Sequence, residues 1–113
     1  MNEYSKTEKQ RLRDLSNLAY ERELEKSLSE LSAKFDDWKT GKMTTLQLNQ
    51  LLHEYDRGES HEIWSMYDTP QYDMVVARAI VKKILTEKEI GSDIVLLLDR
   101  QIKFYEDELR KRN

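Results

Sequence analysis

Tyr20, Leu24, Leu28, Leu31, Phe35 and Trp38 follow one another at intervals of four, four, three, four and three residues. A helix turns about 100° per residue, so this spacing places all six side chains on one stripe. The residues between them, including Glu21, Arg22, Glu25, Lys26, Glu30 and Lys34, form a solvated face. The segment is therefore expected to be an amphipathic helix. Before Tyr20 the register changes. Leu12, Leu15 and Ala19 share a stripe that points elsewhere, and Ser16 and Asn17 at the junction are good N-cap residues. A break near Leu15–Asn17 is therefore expected, against the alternative of one long helix serving two faces.

Punctuation along the rest of the chain is sparse. Gly41, Gly58, Thr69-Pro70 and Gly91 divide it into pieces of helical length. Gly41 stands three residues after Trp38, where a left-handed residue closes a helix. Thr44 with Gln47 makes a capping box, and Met43 with Leu48 a hydrophobic staple. Leu48, Leu51, Leu52 and Tyr55 form the next buried stripe, ended by Gly58. Ser60 is expected to cap a short helix over "HEIWSMYD", and Asp68 or Thr69 the next one, with Pro70 at its first position. The run "MVVARAIVKKIL" is apolar on most sides and is expected to continue as a central helix to about Glu89. A strand over "MVVARAIV" is the weaker alternative, since no turn signal follows it. Gly91-Ser92 closes that helix and opens the last, whose stripe is Ile94, Leu98, Ile102, Tyr105 and Leu109, widened by Val95 and Leu97.

The expected fold is all-α. Residues 17–113 are read as a single domain of about five helices, an irregular or orthogonal bundle containing an antiparallel hairpin around Gly41. Residues 1–16 are read as a separate N-terminal amphipathic segment, mobile or dimerising.

Composition narrows the chemistry. The 113 residues carry a net charge of −3 with 36% charged residues, which disfavours a general nucleic-acid or anionic-membrane role. No apolar run reaches the roughly 20 residues of a membrane span. The N-terminus lacks the apolar core of a secretion signal. With no cysteine, thiolate metal sites and thiol nucleophiles are excluded. A soluble, cytoplasmic protein is expected.

Both histidines fall in "HEYDRGESHE". A zincin needs two histidines four residues apart on one helix, and here His53 and His61 are eight apart across a glycine. A looser metal site, or a metal-dependent enzyme, would draw on His53, His61, Glu62 and Asp56; the plainer reading is two helix ends meeting at a turn. Aligning Gly41 with an EF-hand glycine leaves Trp38, Thr40 and Gln47 where oxygen ligands are needed, so calcium chemistry is not supported. A DNA-reading helix around residues 60–68 has no Lys or Arg to meet phosphate. No Gly-rich phosphate cradle or nucleophile elbow is present. No catalytic residue is assigned and no cofactor is implied.

What remains is a surplus of apolar and aromatic anchors. Trp64, Met66, Tyr67 and Tyr72, together with Leu12 and Leu15, are the candidate interaction residues. The expected function is a non-enzymatic module that binds another protein or a second copy of itself.

Overall fold

The structure, a computed structural model, describes residues 4–112. It is all-α, with no strand among the described residues. Seven helical segments follow in order: α1 (Lys6–Lys39), α2 (Thr45–Arg57), α3 (Glu59–Tyr67), α4 (Tyr72–Val81), α5 (Glu87–Ile90), α6 (Ser92–Leu97) and α7 (Asp99–Arg112). No described helix is long and apolar enough to cross a membrane.

Local signals explain most of the ends. Ser5 and Glu8 form a capping box that opens α1: the Glu8 N–H donates to Ser5 Oγ at 3.1 Å, and the Ser5 N–H donates to Glu8 Oε1 at 2.8 Å. Helix α1 then runs unbroken past Ser16 and Asn17 to Lys39. The break expected there is absent because Ser16 faces inward and is buried, so its place in the helix is set by packing and not by capping. Of the expected segment 1–16, residues 1–3 lie outside the described residues. At the other end Gly41 adopts φ +83°. The Gly41 N–H donates to Trp38 O and the Lys42 N–H to Asp37 O, the two bonds of a Schellman motif. Thr44 and Gln47 make the expected capping box, at 3.1 and 2.8 Å.

Other boundaries differ from expectation. Helix α3 begins at Glu59, capped by Gly58 without a side chain, so Ser60 is not its cap. Helix α4 begins at Tyr72, not at Pro70. The Gln71 N–H donates to Thr69 Oγ1 at 3.2 Å, which holds Pro70 in a turn before the helix. The long helix expected to reach Glu89 stops at Val81. Lys83 turns left-handed, with φ +62°, and the Ile84 and Leu85 N–H groups both return to Ala79 O. Thr86 and Glu89 then form a third capping box, opening α5. The turn lets Leu85 and Ile90 both be buried almost completely. The last helix is also divided. Leu98, itself fully buried, interrupts it between α6 and α7.

Contacts sort the described residues into two units, 4–19 with 69–112, and 20–68. Helix α1 thus contributes residues to both.

In the first unit α4 is the central helix, as its all-round apolar character requires. Val75, Val76, Ala77 and Ala79 are buried, and α4 packs most extensively on α7. Leu85, Ile90, Ile94 and Leu98 complete the core, with Leu12, Ser16 and Ala19 from α1. Small residues at 16 and 19 permit close packing at that face. Two polar contacts anchor the start of α1. Arg11 donates from Nη1 to Asp93 Oδ2 at 2.7 Å and from Nη2 to Ile90 O. Tyr4 donates to Asp73 Oδ2 at 3.1 Å, while Gln101 Nε2 approaches both groups.

In the second unit α2 and α3 run back along α1. Trp38 Nε1 donates to Thr45 Oγ1 at 3.1 Å, Ser27 meets Tyr55 and Glu59, and Glu23 meets Tyr67. Partners rise in α2–α3 as they fall in α1, which is an antiparallel arrangement. The expected stripe of α1 is only partly used. Tyr20, Leu24, Leu31 and Phe35 are half-buried, Leu28 and Trp38 are exposed, and the deepest residue of α1 in this unit is Ser27.

Candidate interaction surface

His53, Asp56, His61 and Glu62 are all exposed. Among the described residues, no three His, Cys, Asp or Glu side chains are gathered closely enough to hold a metal ion. His61 instead lies against Trp64, one turn along α3, with ring centroids 5.5 Å apart.

The six candidate interaction residues divide sharply. Leu12 and Tyr67 are buried, so neither is a surface anchor in this chain. Leu12 is consumed by the core of the first unit. The Tyr67 ring stacks on Tyr20 at 4.8 Å and its hydroxyl donates to Glu23 Oε1 at 2.6 Å. Leu15 and Tyr72 are half-buried. Trp64 and Met66 are exposed, Trp64 by 49% of its surface.

Polar side chains that could suggest chemistry are tied up structurally. Ser27 accepts from the Tyr55 hydroxyl at 2.8 Å and gives its own proton to Glu59, since a serine has one proton to donate. The Tyr55–Ser27–Glu59 trio thus links α1 to α2 and α3. In the other unit, burial first and the charge of Asp73 second hold the Tyr4 phenol above its ordinary value of 10.0. The hydrogen bond from Arg11, then that from the Ile94 N–H, hold the Asp93 carboxyl below its ordinary 3.8.

An unfilled feature lies in the first unit, where α4 ends and α5, α6 and α7 meet. It is an open groove of about 760 Å³. Ile80, Val81, Val95, Leu96, Ile102 and Leu109 supply its apolar lining. Lys83, Glu87, Asp99, Lys103, Glu106 and Arg110 supply charge of both signs around it. Leu96 leaves 77% of its surface exposed, and Leu109 37%. A smaller cleft of about 150 Å³ lies on the other side of α7, between Arg78, Lys82, Phe104 and Tyr105. Phe104 is half-exposed there and meets Tyr105 edge-on at 5.1 Å.

Leu96 and Phe104 were not among the candidates drawn from the sequence. A signal existed for both. The run "IVLLL" over 94–98 wraps more than one helical face, so some of it must face outward. Phe104 stands off the Ile102–Tyr105–Leu109 stripe, beside Lys103.

No known protein family, curated protein or solved structure matches this chain.

Proposed function

We propose that this chain is a non-enzymatic helical docking module of the cytoplasm, whose groove between α4, α6 and α7 receives an amphipathic helix of a protein partner. The observation that carries the reading is the groove itself: six apolar side chains in an open trough, with Leu96 nearly uncovered and both signs of charge along the edges. A partner helix that inserts its apolar face would gain about 25 cal/mol for each Å² of such surface removed from water. Charges at the rim would orient it more than they would hold it. Trp64 and Met66 offer a second, smaller apolar surface on the other unit.

A photo-crosslinking residue placed at Leu96 tests the reading in cells. A discrete adduct is expected from position 96 and none from the exposed polar position Asn49. Equal labelling at both positions, or none at either, would sink it.

A further inference from the structure

The charged edge of the groove has a regular order along α7. Asp99, Lys103, Glu106 and Arg110 lie in one sector of α7 about 60° wide, at 100° per residue. Their signs alternate, acid, base, acid, base. The outer two suit the helix macrodipole, with an acid in the first turn and a base in the last. Asp99 before Lys103 and Glu106 before Arg110 are both acid-first pairs four residues apart, the favourable order on one helix, and only the step from Lys103 to Glu106 runs base-first.

The row becomes fully complementary when read against itself backwards. Laid antiparallel about the midpoint between Phe104 and Tyr105, Asp99 meets Arg110 and Lys103 meets Glu106, each twice. Laid parallel in register, every charge meets its like. The antiparallel register also brings Ile102 of one copy to within about 3 Å, along the axis, of the level of the other copy's Leu109, on the same flank. In the isolated chain Lys103 reaches Asp99 at 3.2 Å and Arg110 reaches Asp107 at 3.4 Å. All four of these groups are mostly exposed, so exchanging such pairs for ones across an interface costs little.

We propose that the occupant of this surface is a second copy of the chain, its α7 laid antiparallel along the first in an isologous pair. The proposal rests on the docking reading above and names the partner. The two-fold symmetry follows from the row being its own complement, as a closed homodimer requires.

Sedimentation equilibrium of the full chain provides the test, with Lys103→Glu, with Glu106→Lys, and with the two variants mixed. Both positions are exposed, and circular dichroism checks that each variant stays helical. Either substitution alone sets like charges together twice in the dimer. Each variant is expected to need roughly ten-fold more protein to dimerise than the parent. An equimolar mixture restores both pairs, because the Glu at 103 in one copy meets the Lys at 106 in the other. Its dimerisation midpoint is expected to return to that of the parent. A dimer indifferent to the charges, or a mixture that fails to recover, overturns this register. A parent chain that stays monomeric while position 96 crosslinks to a different protein overturns the self-pairing and leaves the docking reading standing. A monomer with no adduct overturns both.

Discussion

The two units of this chain are held by different kinds of interaction. The first, built on α4 to α7 with the start of α1, has an apolar interior. Val76, Ala77, Ala79, Ile90, Ile94 and Leu98 have no exposed surface at all. The second, residues 20–68, buries few apolar side chains: Leu48, Ile63 and Tyr67 are its deepest, and each keeps some exposure. Hydrogen bonds take up the work there. Tyr55, Ser27 and Glu59 form one chain and Tyr67 with Glu23 another, beside the stacked rings of Tyr20 and Tyr67. Apolar burial is non-directional and adds with area, whereas a hydrogen bond traded against water contributes only about 1 kcal/mol net. The second unit should therefore open at lower free energy than the first, with faster amide exchange in α2 and α3 than in α4.

The sharpest way to break this comparison is to cut into the apolar core. Leu98→Ala removes a fully buried side chain at the α6–α7 junction and is expected to cost about 3 kcal/mol, read from urea unfolding. A loss under about 1 kcal/mol would mean that the first unit is not held by its apolar interior. Gly91→Ala comes next. Gly91 has φ +95°, and a Cβ there would stand 2.8 Å from Asp93 Oδ1 and 2.9 Å from Arg11 Nη2. Backbone strain alone should cost about 2 kcal/mol, and the disturbed Arg11–Asp93 pair adds to it. Combining Gly91→Ala with Arg11→Ala should lose less than the sum of the two, since both disturb the same contact.

Tyr67→Phe probes the other unit. It keeps the stack on Tyr20 and deletes the bond to Glu23, for an expected loss of about 1.5 kcal/mol. An unchanged unfolding midpoint would show that the polar links are ornaments on a unit held by something else. The smallest effect is that of pH on Tyr4. Its phenol titrates above its ordinary 10.0 in the folded chain, so the native state holds its proton more tightly. That contribution is fully present below pH 10.0 and is lost as pH rises through the raised folded value. Tyr4→Phe should flatten the alkaline side of the stability curve while leaving the acid side alone. The acid side carries Asp93, whose lowered pKa makes its contribution present above 3.8 and lost as pH falls through the depressed folded value.

Legibility from sequence varied by element. The Gly41 turn and the Thr44–Gln47 box were readable because both are closed by bonds within a few residues. Ser5-x-x-Glu8 and Thr86-x-x-Glu89 carry the same signature, yet they sit inside runs that read as continuous helix or as an N-terminal tail. The apolar run through Ile84 and Leu85 concealed the turn before Thr86, because periodicity shows an apolar surplus without showing where it bends. In the candidate surface, Trp64 and Met66 stood out by residue type and are exposed, whereas Leu12 and Tyr67 stood out and are buried. Nothing local distinguishes the two outcomes.

The sequence by itself determined that this chain is helical and where several of its helices begin and end, because periodic apolar spacing and capping act over three or four residues. Tertiary structure alone decided which stripe is covered. It buried Ser16 and Ser27 on α1 while leaving Leu28 exposed, turned the chain at Lys83, and left Leu96 facing outward. Burial is a relation between segments distant along the chain, and an amphipathic stripe states only that it can be covered, not by what.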